Sequence, residues 1–344
     1  MAYTTINKST DYFNTKLYTG TGSSNAQTGI GFQPDLLWIK QRNSAVNNLL
    51  HDSIRGVTKL LVSNSNAAED TNTNILTSFD SDGFTVGTNS ASNGNNDTYV
   101  AWNWKAGTTG SGNTGGSGTY KAYSYSVNTT AGFSIVKYVG NGTGGHTIPH
   151  HLGVAPSNVI IKDISASNSW ISKMKGYDGY LYLNNSDAGT SNSTWLPTDA
   201  NNLTLANTWG AYNTNDATYI AYCFAEKTGY SKFGSYTGNG NSDGTFVYTG
   251  FKPAFFIAKR TSASGDPWVL IDNKRNTFNA LSNTLTPSDS NAENTGTDRA
   301  DFLSNGIKIK TTSDAWNGSG SSYIYIAFAD APLVGTNNVP CTAR

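Results

Sequence analysis

The sequence predicts an all-β protein built as three tandem antiparallel β-sandwich repeat domains of jelly-roll or lectin-like type. Three observations lead there. One motif occurs three times: Tyr18-Thr19-Gly20-Thr21-Gly22 precedes Pro34, Tyr138-Val139-Gly140-Asn141-Gly142 precedes Pro156, and Tyr236-Thr237-Gly238-Asn239-Gly240 precedes Pro253. The Tyr-to-Pro separations are 16, 18 and 17 residues, and a lysine (Lys40, Lys162, Lys259) follows each proline by six. The copies also share an ending, Tyr99-Val100-Ala101-Trp102, Tyr219-Ile220-Ala221-Tyr222 and Tyr325-Ile326-Ala327-Phe328. From opening to closing tyrosine is 81, 81 and 89 residues, which is near small-domain size and longer than solenoid repeats. Finally, no segment holds a 3.6-residue apolar period with caps, while short apolar runs alternate with polar turns.

The elements follow in order. Residues 1–16 form an N-terminal arm whose end, Tyr12-Phe13-Asn14-Thr15-Lys16, enters Tyr18 as a first strand, much as Phe133-Ser134-Ile135-Val136-Lys137 enters Tyr138. The first repeat covers residues 17–106. Within it, residues 36–40 are apolar enough for burial on both faces, Lys59-Leu60-Leu61-Val62 is a further strand, and Asp82-Gly83 is a tight turn. Residues 98–104 alternate as a half-buried strand does. Residues 107–120, rich in Gly, Ser and Thr, are expected to be a flexible linker that leaves the first domain on a tether. The second and third repeats, residues 121–228 and 229–332, are joined with little slack and are expected to hold a fixed relation. Residues 333–344 form a C-terminal tail. Three beads on a string, each with its own core, is the expected arrangement.

Composition narrows the function classes. Charged residues are 13% of the chain, with 23 basic against 23 acidic. Such a chain lacks the basic footprint that phosphate binding needs, so no nucleic-acid partner is expected. A polar, uncharged surface carrying 12% aromatics suits extracellular adhesive or virion proteins. The N-terminus has no basic and apolar leader, and no apolar run approaches the roughly 20 residues needed to span a bilayer. Assembly in a host cytoplasm without a signal peptide, and no membrane insertion, are expected. Two cysteines do not make a disulfide framework; Cys223 reads as a small core residue, and Cys341 falls in the tail.

The opening of the second repeat (Phe133 to Gly142), together with Tyr219-Ile-Ala-Tyr-Cys-Phe-Ala-Glu226, Gly229-Tyr-Ser-Lys-Phe-Gly-Ser-Tyr-Thr-Gly-Asn-Gly240 and Tyr323-Ile-Tyr-Ile-Ala-Phe-Ala-Asp330, resembles a repeat family. That family occurs in predicted tailed-bacteriophage virion proteins, many from marine phages, whose domains are of unknown function. The resemblance runs from Tyr18 to about Pro332. It implies a non-enzymatic virion structural protein of the tail and no catalytic residues. This sequence departs from many fibres in showing no long N-terminal attachment domain. The expectation is a tail fibre or receptor-binding appendage. It would act as a homo-oligomer, with a trimer favoured, alongside other virion proteins and a host-surface glycan or protein. A capsid or tail decoration protein (cement or head fibre) is the alternative, and a polysaccharide-degrading tailspike a weaker one.

Candidate chemistry is sparse. Asp80-Ser81-Asp82-Gly83 resembles part of a calcium loop, but the corresponding Leu303-Ser304-Asn305-Gly306 keeps only the glycine, so turn chemistry explains it. His146, His150 and His151 cluster in one loop without a neighbouring Cys or carboxylate and read as solvated rather than metal-binding. No Gly-x-Ser-x-Gly elbow or carboxylate pair suggests hydrolysis. No cofactor and no catalytic residue is expected. The more useful signal is aromatic: Trp209, Tyr212 and Trp316 lie in polar stretches before the closing strands. They suit glycan or subunit contact, or fold back over the sandwich edges. Tyr18, Tyr138, Tyr236, Pro34, Pro156, Pro253, Tyr99, Tyr219 and Tyr325 recur and read as repeat framework.

Overall fold

The chain is all-β, and its sheets pair antiparallel throughout the described residues. The structure, a computed structural model, describes residues 4–331. Each repeat is a sandwich of a large sheet on a three-stranded one. In every large sheet the closing strand lies between the opening strand and an inner strand. In the first repeat these are Thr98–Trp104, Phe13–Thr19 and Leu36–Gln41. In the second they are Thr218–Phe224, Phe133–Val139 and Asn158–Asp163. In the third they are Ser322–Ala331, Ser231–Thr237 and Lys252–Arg260. A fourth strand follows each inner one: Leu49–Asp52, Ile171–Met174 and Val269–Asp272.

Alternation along the closing strands explains why all of them are buried on both faces. Tyr99, Ala101, Tyr219, Ala221, Tyr323 and Tyr325 face the core of their own sandwich. Val100, Trp102, Trp104, Ile220, Tyr222, Phe224, Ile324, Ile326 and Phe328 face a fourth core shared by all three repeats. At its centre Trp104, Phe224 and Phe328, one from each closing strand, stand 6.5, 6.0 and 5.8 Å apart. These spacings suit edge-to-face and tilted aromatic packing. The packing leaves an apolar void of only about 30 Å³, about one water's share of liquid volume. The repeats are therefore not beads on a string. They form a closed ring about a pseudo-three-fold axis.

Equivalent hydrogen bonds seal all three junctions of that ring. The Glu69 N–H donates to Ile164 O (3.0 Å), Gly189 N–H to Thr261 O (2.9 Å), and Glu293 N–H to Arg42 O (2.7 Å). The Trp170 indole donates to Val62 O (2.9 Å), the Trp268 indole to Tyr182 O (2.8 Å), and the Asn48 amide to Thr286 O (3.4 Å). Two of the three recurrent lysines belong here too, and Lys162 bonds within its own repeat. Lys40 and Lys259 reach the neighbouring repeat at Ser290 O (3.2 Å) and Ser186 O (3.4 Å), and Lys162 donates to Ala166 O (3.2 Å). Burial lowers the pKa of each of these three ammonium groups to about 8.

Four expectations are corrected. The glycine-rich segment is not a flexible linker: Thr108–Asn113 pairs with Ala122–Asn128, and Gly115–Gly116 joins the small sheet of the second repeat. Its glycines are there because Tyr125 and Tyr123 lie over Gly110 and Gly112, where a side chain would collide with the rings. The first domain is not tethered loosely, since Ala106 N–H donates to Asp35 Oδ2 (2.7 Å) and Gly107 N–H to Ser126 Oγ (2.9 Å). The division after residue 16 falls inside the strand Phe13–Thr19, and the arm before it packs Ile6 into the central core. Finally, the closing-strand framework tyrosine of the third repeat is Tyr323, not Tyr325. Tyr323 pairs with Tyr236 as Tyr99 does with Tyr18 and Tyr219 with Tyr138. Tyr325 sits where Ala101 and Ala221 stand, and a slip of two keeps the same face, so alternation alone does not separate the two tyrosines. The tail 333–344, with Cys341, lies outside the described residues.

Candidate functional site

The repeated loop explains most of the motif residues. Tyr18, Tyr138 and Tyr236 donate their hydroxyls to Ser92 O (2.7 Å), Tyr212 O (2.9 Å) and Trp316 O (2.9 Å). One residue on, buried Asn93, Asn213 and Asn317 accept from the N–H of Thr21 (2.9 Å), Asn141 (3.1 Å) and Asn239 (3.0 Å). A Cβ on Gly20, Gly140 or Gly238 would strike the backbone carbonyl opposite, while Gly22, Gly142 and Gly240 turn the chain at φ of 68°, 65° and 68°. The hydroxyls of Tyr99, Tyr219 and Tyr323 then accept from Gly94 N–H (2.7 Å), Thr214 N–H (2.9 Å) and Gly318 N–H (2.7 Å). Tyr-x-Gly-x-Gly is a structural latch. Pro34, Pro156 and Pro253 are buried at the starts of the inner strands.

Two of the three candidate contact residues are core. Tyr212 and Trp316 are 0% and 1% exposed, one residue before the latch asparagine, so surface contact is corrected to core cover. Trp209 is half-buried and packs on Tyr180 (4.9 Å), Trp195 (6.4 Å) and Tyr212 (5.6 Å). The exposed rings are elsewhere. Phe246, Tyr248 and Phe278 of the third repeat are 42%, 61% and 84% exposed. Phe246 and Tyr248 alternate along one small-sheet strand, a spacing that points both to one face.

The histidine loop also differs from the solvated reading. His146 is fully buried, with Nε2 2.6 Å from Thr114 Oγ1 and Nδ1 3.3 Å from Asn213 Oδ1. His150 is fully buried between Asp199 O (3.1 Å) and Leu152 N–H (3.2 Å). Nδ1 accepts and Nε2 donates there, which defines a neutral ring, and burial lowers both pKa values. His151 stacks on Tyr125 at 3.7 Å and lies 3.0 Å from the Tyr123 hydroxyl. Asp82 accepts from Gly29 N–H (2.9 Å) and Gly31 N–H (2.7 Å), tying two turns together. Among the described residues no cluster of three or more His, Cys, Asp or Glu side chains is placed to hold a metal ion. None of the described helices is long and apolar enough to cross a membrane.

The strongest electrostatic features lie at the junctions and were missed in the sequence. Asp52 holds Arg55 (2.5 Å), which reaches Glu69 (3.2 Å), and Asp272 holds Arg275 (2.7 Å), which reaches Glu293 (3.0 Å). Each aspartate also accepts from a neighbouring repeat: Tyr222 OH to Asp52 (2.7 Å), and Trp102 Nε1 to Asp272 (3.0 Å). The two Asp-x-x-Arg occurrences were the available signal. These carboxylates are fully engaged in fixing the ring.

One family profile spans the ring as a whole, matching residues 8–332. Its description is a domain of unknown function, DUF7483. The chain belongs to that family. No curated protein and no solved structure matches it.

Proposed function

We propose that this chain is a non-enzymatic structural component of a bacteriophage virion, a tail fibre or receptor-binding appendage that contacts the host surface. The observation that carries the reading is the closed ring itself: one chain arranges three sandwiches about a pseudo-three-fold axis. Such a body can occupy a three-fold position in an assembly as a single copy, and it can present three related but non-identical outer surfaces. In this reading the three-fold element expected of a homotrimer would lie within one chain, a reading supported by the coverage of its central apolar faces. The exposed rings of the third repeat provide amphipathic contact area of the kind enriched at protein and sugar interfaces.

The test uses a phage that encodes this chain. The purified protein, added to host cells, is expected to compete with the phage for adsorption. Light scattering is expected to report the 36.6 kDa monomer rather than three times that mass. A folded protein that does not compete, while antibodies to it label the capsid, would move the assignment to a decoration protein. Absence from purified particles would end the virion reading.

A further inference from the structure

The three repeats diverge most informatively at one place beside the latch. In the third repeat a cavity of about 310 Å³ lies between the sandwich and the segment that seals the ring, within the usual range for small-molecule sites. Its walls include Thr284, Thr286, Arg299, Ser313 and Trp316. Asn291 and Asn294, both exposed, also line it.

Backbone register identifies what the other repeats place at these positions. Gly87 N–H bonds to Ile75 O as Lys310 N–H does to Arg299 O, so Arg299 replaces a buried isoleucine. Asn213 N–H bonds to Trp209 O as Asn317 N–H does to Ser313 O, so Ser313 replaces Trp209. The pairings Leu50 with Leu61, Ser172 with Leu181 and Leu270 with Leu285 set Thr284 at the position of Leu60 and Tyr180. The same register sets Thr286 at the position of Val62 and Tyr182. Where the first repeat has Leu60, Val62 and Ile75, and the second has Tyr180, Tyr182 and Trp209, the third is hollow and polar.

Arg299 is the residue that gives the hollow a chemical character. Among the described residues its guanidinium has no ion pair, and its buried Nε has no hydrogen-bond partner. Thr284 is 6% exposed, and its Oγ1 is also unpartnered. Unsatisfied buried donors cost stability, and no described residue compensates for these. A ligand that accepts from both would. Asp289, the acidic residue lining the cavity, is turned to Thr286 Oγ1 and to Asn291 N–H (3.0 Å).

We propose that this cavity binds an acidic sugar, its carboxylate on Arg299, its hydroxyls on Thr284 and the loop asparagines, and its apolar face toward Trp316 and Pro267. A guanidinium fork matches a carboxylate bidentately, and a ring wall matches the C–H face of a pyranose. The chemistry does not depend on where the protein resides, so the test uses free saccharides rather than cells or particles. Its failure would leave the virion reading standing, and the reverse also holds.

Calorimetric titration of the full chain compares D-glucuronate with D-glucose and with sulfate. Glucuronate is expected to bind and glucose to be weaker by roughly ten- to a hundredfold, the worth of a hydrogen-bonded charge. Arg299→Ile copies the first repeat and Ser313→Trp copies the plug of the second. Both are expected to lose glucuronate by at least about tenfold. Arg299→Ile should also unfold at a higher temperature than the parent without ligand, which separates lost binding from lost fold. Equal affinity for glucose, binding of sulfate without the sugar, unchanged affinity in Arg299→Ile, or no binding to the parent chain would each overturn the assignment.

Discussion

Two of the ring's junctions bury an ionic cluster and the third packs apolar side chains at the matching place, although the backbone bonds across them are equivalent. The first and third repeats present Asp52–Arg55–Glu69 and Asp272–Arg275–Glu293. At the matching positions the second repeat has Met174, Tyr177 and Gly189, and the residue that would donate to the missing aspartate is Ile326. The Tyr177 ring lies where any Gly189 side chain would be, filling the space that the arginine–glutamate pair takes elsewhere. All four positions changed together. A buried charge is tolerated with its complete set of partners, and so is its complete absence, but a partial set is costly. The chain contains both solutions side by side.

Breaking one ionic junction gives the largest expected effect. Asp272→Ala leaves Arg275 charged and fully buried, and should lower the unfolding free energy by about 3–5 kcal/mol in denaturant titrations. Transplanting the apolar set sharpens the point. Asp52→Met, Arg55→Tyr, Glu69→Gly and Tyr222→Ile together should cost less than about 1–2 kcal/mol, far below the single charge deletion. A combined loss as large as the single one would show that the apolar junction depends on something other than this substitution set.

The plug and the hollow invite the next comparison. Trp209→Ser gives the second repeat the third repeat's residue and should cost about 1–3 kcal/mol, less than a fully buried tryptophan because the ring is half-exposed. Xenon or small-ligand uptake in a crystal of the variant would reveal the opened space.

A further effect appears only as the pH is changed, and at neutral pH it is the smallest. His51 is fully buried, and its pKa is pushed down to about 3, first by burial and then by the charge of Arg55. Between pH 6.5 and 3 the unfolded chain binds the proton that the folded one refuses, so stability falls as pH falls through that window. His51→Ile, which copies Ile271 of the third repeat, should flatten this part of the stability profile and leave neutral pH nearly unchanged. An identical slope in the variant would assign the acid sensitivity to carboxylates.

Much of the fold was legible because glycine and tyrosine have strict local reasons. Gly20, Gly22 and Tyr18 recur as a latch whose parts are close in sequence at one end. Fold class followed from alternation, as in Tyr99 to Trp104. What escaped depended on contacts distant in sequence. Trp102 and Asp272 meet across 170 positions, and no periodicity marks such a pair. The glycines at 110 and 112 read as slack because the tyrosines that cover them come a dozen residues later. Trp316 and Tyr212 read as surface because their neighbours are polar, yet those neighbours are the latch. Arg299 attracts notice only against Ile75, an equivalence that requires the register of both sheets.

The shared centre has a consequence for how the protein comes into being. While the chain is being synthesised, the outer face of the first sandwich, with Val100, Trp102 and Trp104, is first met by the second repeat at Phe224, and its cover is not complete until Phe328, more than two hundred residues on, has followed. Ile6 takes its place in that same cluster, and the Ser9 hydroxyl bonds to Asp330 O at 2.6 Å. The strand-entry segment of the first repeat is thus fastened by the closing strand of the third. Maturation cannot proceed one sandwich at a time, and an interrupted chain would display a wide greasy surface that invites aggregation or chaperone capture.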